Sequence, residues 1–204
     1  VGKTTTAVNL ASYLSELNNK VLLVDFDPQS NATSAIGIKK DRISQSVYDL
    51  IINEADYKDV LYPTAFKSLD ILPSSTDLAA AEVELVDKKQ REFILKNKLE
   101  NLKKYYDYII IDCAPSLGLL TINALTASNQ TIVPVQCEYF ALEGISQLIN
   151  TLRLIQKGLN PKLKIAGIVL TMVDIRTSLN RSVIENIKSY FDELVFDTMI
   201  PRNI

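Results

Sequence analysis

A chain of 204 residues, 47% hydrophobic and 23% charged, has room for one α/β domain and the composition of an ordinary globular protein. It contains no histidine, which excludes imidazole-based catalysis and His-ligated zinc. No apolar run approaches the roughly eighteen residues that span a bilayer and no signal peptide opens the chain, so a cytoplasmic protein is expected. The net charge of −2 is unevenly placed. Residues 1–152 carry 14 Lys/Arg against 19 Asp/Glu, whereas residues 153–204 carry 8 against 5. Any nucleic-acid contact would therefore come from a local patch in the last quarter, doubled by oligomerisation; a solvated basic surface explains the same bias. Cys113 and Cys137 each sit beside an apolar stretch and read as buried free thiols.

Val1-Gly2-Lys3-Thr4-Thr5-Thr6 opens the chain, and Ala7, Leu10, Ala11, Leu14 and Leu17 then recur at helical spacing, predicting an amphipathic helix from 3 to about 17. Val21-Leu22-Leu23-Val24-Asp25 is an apolar run closed by a carboxylate, which suits a buried parallel strand. Asp25-Phe26-Asp27-Pro28-Gln29 leaves it as a loop, and residues 30–37 read as polar and flexible. Short helices are expected over 46–62 and a strand at Leu69-Asp70-Ile71-Leu72-Pro73. Two helices broken near Asp87 should fill 77–105. Tyr108-Ile109-Ile110-Ile111-Asp112 repeats the pattern of a strand ending in Asp, followed by a turn and a helix over 119–127. Thr131-Ile132-Val133-Pro134-Val135 is a further strand, with Pro134 expected near its end because proline cannot donate to a ladder. Leu142, Ile145, Leu148, Ile149, Leu152 and Ile155 mark an amphipathic helix. A strand over 165–171, a helix over 178–191 and a short strand over 194–196 precede Pro201-Arg202-Asn203. Alternating strands and helices predict a mostly parallel sheet covered on both faces, as one domain over 1–204.

The chemistry gathers where strands end. Gly2-Lys3-Thr4 at a helix start is the tail of the phosphate-loop pattern Gly, four residues, Gly-Lys-Ser/Thr. Gly2 allows close backbone approach to a polyphosphate, Lys3 offers a point charge, and Thr4 offers a hydroxyl to Mg²⁺. Free N–H groups at the helix start add to the anion site. Asp25, Asp27 and Asp112 lie at the carboxyl ends of strands, where parallel sheets bind ligands. Asp112 could equally cap the following turn, and Gly-Lys-Thr could equally be an ordinary helix start.

These segments resemble the ParA family of deviant Walker A ATPases, and its chromosomal branch in particular. The matching stretches are Val1-Gly2-Lys3-Thr4-Thr5-Thr6-Ala7-Val8-Asn9-Leu10, Asp25-Phe26-Asp27-Pro28-Gln29-Ser30-Asn31-Ala32-Thr33 and Ile110-Ile111-Asp112-Cys113-Ala114-Pro115-Ser116. The likeness continues through residues 133–144 and Ile200-Pro201-Arg202-Asn203. It implies a P-loop NTPase fold and an ATP hydrolase using ATP and Mg²⁺. Such an ATPase forms a nucleotide-sandwich homodimer, binds DNA without sequence preference on the nucleoid, and is released when a ParB-type centromere-binding partner triggers hydrolysis. By position, Gly2, Lys3, Thr4 and Thr5 would bind phosphates, Thr4 would ligate Mg²⁺ and Asp112 would hold it through water. Asp27 would orient the attacking water, Pro201 and Asn203 would flank adenine, and Arg176 would touch DNA.

The family pattern begins earlier, with a strand and Lys-Gly-Gly ahead of Val1, and continues beyond Ile204, so a fragment incomplete at both ends is expected, poorly active on its own. That strand would lie mid-sheet. Three other readings remain: a MinD-like division-site ATPase, an iron–sulfur reductase using Cys113 and Cys137, and a non-catalytic module that keeps nucleotide as a structural ligand.

Overall fold

The computed structural model describes residues 1–116, 118–138 and 141–202. It resolves into two compact units, one of Thr4–Ala127 and one of Ser128–Ile204 with Val1–Lys3. Both are built from mostly parallel strands and helices, as the alternating pattern requires.

In the first unit the centre is β1 (Val21–Phe26), all six of whose residues are buried. It pairs in parallel with β3 (Leu69–Leu72) on one side and β4 (Tyr108–Cys113) on the other. A two-residue strand, β2 (Tyr62–Pro63), adds antiparallel to β3. Because strand side chains alternate, β1 feeds two cores. Leu22, Val24 and Phe26 pack with Val47, Leu50, Ile51, Leu78, Leu85, Leu95 and Leu120. These come from α3 (Val47–Ile51), α5 (Leu78–Glu84), the turn that ends it, α6 (Ile94–Glu100) and α7 (Leu119–Ala127). Val21 and Leu23 face the opposite way, with Leu69 and Ile71, against Ala11, Ala32 and Ile36. Here the cover is α1 (Lys3–Glu16) and α2 (Asn31–Ala35). α3 starts on a capping box, in which the Ser46 hydroxyl accepts from Tyr48 N–H and Asp49 accepts from Ser46 N–H. α4 (Tyr57–Val60) starts on Asp56, which accepts from Lys58 N–H.

In the second unit β5 (Gln130–Gln136) pairs in parallel with β6 (Lys164–Thr171), with a register slip between Thr131 and Ile132. α8 (Ala141–Gly158) packs on β5 and buries Ile145, Ile149, Leu152 and Ile155, and α9 (Ser178–Phe191), beside α8, buries Val183, Ile184 and Ile187. The Thr177 side chain caps α9 by accepting from Asn180 N–H.

Four expectations change. Residues 30–37 are not a loose loop: α2 forms there because Ala32 and Thr33 are buried against β1. The short strand expected over 194–196 is a 3-10 turn, Asp192–Leu194, followed by a single parallel bridge from Val195 to Ile168. Pro134 sits inside β5, opposite Val169, rather than at its end. Among the described residues β5 pairs only with β6, and an edge strand tolerates the missing donor. The helical stripe on α1 also stops short, since Leu17 lies past its end and is exposed.

Removing the Phe26 ring should cost about 3–5 kcal/mol, the range for emptying a buried aromatic site, whereas Leu17→Ala should stay within about 0.5 kcal/mol. Urea unfolding of Phe26→Ala and Leu17→Ala checks the contrast.

Candidate functional site

The carboxyl ends of β1 and β3 are joined by one buried polar network. Asp25, wholly buried, uses Oδ2 to accept from the Thr33 N–H at 2.7 Å and the Thr33 hydroxyl at 2.6 Å. Its Oδ1 accepts from Asp27 N–H at 3.4 Å. The Thr33 hydroxyl oxygen in turn accepts from Ser74 N–H at 3.0 Å, just past β3, and the Ser74 hydroxyl donates to the Asp27 carbonyl at 2.8 Å. Burial pushes the Asp25 carboxyl up, and its bonds from Thr33 and Asp27 pull the other way. With both oxygens spent inside the protein, Asp25 is a bracket and does not face a ligand.

Asp27, 7% exposed, is held by this bracket through its own backbone, and its Oδ1 accepts from Gln29 N–H at 2.9 Å. Ser30, at φ 54°, turns the chain into α2 and donates its N–H to the Asp27 carbonyl. Asp112 is buried at the tip of β4, directly opposite Asp25 in the register. Of the three strand-end carboxylates, one is therefore structural, while Asp27 and Asp112 remain as candidates.

Lys3 and Thr4 open α1, whose first turn carries no acidic residue, and the positive end of such a helix favours an anion. Thr5 is exposed. With Thr4, Asn9 and Tyr13 it lines an open groove of about 470 Å³ bounded by Ile36 and Phe66. Among the described residues no three His, Cys, Asp or Glu side chains cluster to cage a metal. A divalent ion would need phosphate and water oxygens beside a hydroxyl and a carboxylate, which is the donor set that Mg²⁺ favours.

In the second unit the tip of β6 is the meeting point. The Thr171 hydroxyl donates to the Val1 carbonyl at 3.4 Å, and Gly2 follows at φ 82°. A Cβ on Gly2 would press to 3.1 Å from the Thr171 methyl, so glycine is required by both conformation and space. Two residues beyond Thr171, Val173 bridges to Pro201, which is exposed. The fold thus brings Gly2 and Pro201 to the same strand end; Asn203 lies outside the described residues. Arg176 is in the loop that follows, with its side chain 87% exposed. Its guanidinium is not open, however: Nε and Nη2 fork onto the Asp174 carboxylate, both at 2.8 Å. Those bonds hold the Asp174 carboxyl down at about 2. Cys137 is buried, and burial raises its thiol; Cys113 is only half-buried, contrary to expectation.

The AAA_31 family, described as an AAA domain, matches residues 1–165. The chain belongs to this family. Within it the chain is 56% identical over 204 residues to the sporulation initiation inhibitor protein Soj of Bacillus subtilis, covering all of the chain and 81% of that relative. It is 50% identical to the chromosome partitioning protein ParA of Myxococcus xanthus, covering 72% of that protein. Among solved structures, a cobyrinic acid a,c-diamide synthase from Mycobacterium smegmatis with bound ADP and magnesium aligns at TM-score 0.92 and 38% identity. That alignment covers 99% of the chain and 82% of the other. A plasmid partition protein from Borrelia burgdorferi aligns at TM-score 0.85 and 29% identity, over 99% of this chain and 85% of that one. This AAA_31 chain is therefore a P-loop ATP hydrolase of the Soj/ParA partitioning group.

The Gly-Lys-Thr start and the strand-end aspartates were legible from residue pattern. Thr33 and Ser74 were not, because an eight-residue hydroxyl–carboxylate spacing has no periodic signature and Ser74 meets them only through sheet pairing.

The raised Asp25 carboxyl has a pH consequence. The folded chain takes up this proton at a higher pH than the unfolded one does. Its stabilising effect is thus complete below the ordinary value of 3.8 and lost as pH rises through the folded value. Wild type should gain stability relative to Asp25→Asn as pH falls from about 7 toward that value. Urea midpoints of both proteins across the range measure the gap.

Proposed function

We propose that this AAA_31 protein works as a ParA-type switch. ATP and Mg²⁺ pair two copies into a sandwich dimer, the dimer holds DNA without sequence preference, and a ParB-type partner ends the cycle by stimulating hydrolysis. The observation that carries the reading is the helix start of Gly2, Lys3 and Thr4 with no acid in the first turn. Family membership supports the rest of the reading. Residues 1–204 act as one ATPase domain, working in the cytoplasm on the nucleoid.

Each residue has a part set by its chemistry. Gly2 lets the backbone approach the phosphates, and Lys3 and the N–H groups of α1 balance their charge, with Thr5 as a further donor. The Thr4 hydroxyl would bind Mg²⁺ and Asp112 would hold it through water. Mg²⁺, when bound, neutralises charge on the phosphate oxygens. Asp27 accepts a hydrogen bond from the attacking water and orients it. Its backbone is already pinned by Ser74 and Asp25, so little reorganisation is needed when the water arrives. Pro201 and Asn203 flank the adenine. Phosphoryl transfer asks for positioning and charge more than covalent chemistry, and an incomplete site runs slowly until a partner completes it.

DNA binding rests on the basic last quarter. One patch with a net of +3 binds weakly, and pairing two copies raises the effective concentration of the second contact. Arg176 reaches phosphate by exchanging its Asp174 partner for a DNA oxygen.

In the full-length protein, Asp27→Ala should lower partner-stimulated ATP turnover by about 10²-fold or more while nucleotide binding persists. Turnover equal to wild type would refute the catalytic role and favour a module that keeps nucleotide only as a structural ligand. In sedimentation or filter binding with ATP, Arg176→Ala should weaken DNA binding and reduce the salt slope by about one. Asp174→Asn, which frees the guanidinium, should strengthen it.

A further inference from the structure

We propose that Glu82, on α5, is a positioning residue for the ATPase site: it fixes the loop leaving the Asp112 strand tip by binding the amino end of α7. The proposal rests on the ATPase reading above. Ala114, Pro115, Ser116 and Gly118 lie between β4 and α7, so their placement depends on what holds each end. Glu82 lies far back in sequence, yet its Oε2 accepts from Leu119 N–H at 2.8 Å and its Oε1 from Leu120 N–H at 3.3 Å. These are the first two N–H groups of α7, which have no partner inside the helix. A carboxylate there also meets the positive end of the helix dipole. The first turn of α7 has no acidic residue of its own, so the charge is supplied by another element.

Gly118 makes the contact possible. A Cβ at that position would overlap both Glu82 carboxylate oxygens, and they would have to move away. On the inner side of the loop the Thr121 hydroxyl donates to the Ser116 carbonyl, with the Ala114 carbonyl at 3.4 Å. The body of α7 is anchored by Asn123, which is 1% exposed. Its Nδ2 donates to the Arg91 and Leu119 carbonyls at 2.8 and 2.9 Å, and its Oδ1 accepts from Leu95 N–H at 3.1 Å.

Glu82 also closes a circuit. Ser74 binds the Asp27 carbonyl, α5 begins four residues after Ser74, and Glu82 on α5 binds the helix that ends the Asp112 loop. A shift of α7 relative to α5 would therefore be felt between the water-orienting carboxylate and the metal-side carboxylate. A group acting this way should govern the chemical step more than ground-state binding, because Lys3 and Thr4 are untouched by it.

The test uses the full-length protein with Glu82→Gln, Gly118→Ala and both together. Gly118→Ala keeps the Glu82 charge but displaces the carboxylate, so it breaks the same link by a different route. Amide exchange at Leu119 and Leu120 should speed up by about tenfold in each single variant. Stimulated kcat should fall by about 10- to 100-fold with KM for ATP within about twofold, measured well below the midpoint of thermal unfolding. The double variant should be no worse than the worse single one. Faster exchange with unchanged kcat would make Glu82 a helix cap only and overturn the proposal, as would exchange that stays at the wild-type rate. Wild type without Mg²⁺-dependent ATP turnover would bring down the ATPase reading and this proposal together. Wild-type turnover matched by both single variants would bring down this one alone.

Discussion

A carboxylate shut away from water at the end of β1 is the constraint on which the candidate site rests. Burying an ionisable group is costly unless its hydrogen bonds are met, and Asp25 meets them with a threonine that supplies both N–H and hydroxyl. That demand brings α2 back onto the sheet, and Thr33 passes the connection on to Ser74 beyond β3. Asp27 then has little freedom left. Its N–H is bound to Asp25, its carbonyl to Ser74 and Ser30, and its carboxylate to Gln29. For the water-orienting role proposed for Asp27, placement by backbone contacts before any substrate arrives is what electrostatic catalysis requires.

The same economy appears at the end of β4. Asp112 sits opposite Asp25 in register, and the loop after it ends on a helix whose first amides are bound by Glu82. Helix starts attract anions, and here two are treated in opposite ways. The amino end of α7 is filled by a carboxylate of the protein itself, whereas that of α1 carries Lys3 and Thr4 and no acid. One is a structural joint, and the other is the phosphate site of the proposed function.

Charge counts alone would have misjudged the last quarter of the chain. Residues 153–204 are net basic, but Arg176 is forked onto Asp174, so its local field is largely cancelled. An exposed pair of this kind contributes little to stability, and exchange of one anion for another is correspondingly easy. Arg176 is therefore better described as half of an exchangeable ion pair than as a standing positive patch.

Much of this protein follows from local pattern. The wholly apolar strand of residues 21–24, the isoleucine run 109–111 and the helical stripe from Leu142 to Ile155 each carry their own period, so strands, helices and a parallel sheet could be read without coordinates. Gly2-Lys3-Thr4 and the strand-end aspartates were equally visible, because their chemistry depends on neighbours in the chain. What tertiary structure decided was which of those aspartates turns inward. Asp25 and Asp27 are two residues apart and alike in sequence, yet only Asp25 meets Thr33. The α2 helix, the bracket to Ser74, the Glu82 contact and the Asp174–Arg176 pair all arise the same way. Each depends on a side chain finding a partner through three-dimensional packing or loop geometry, and no periodicity in the chain records that.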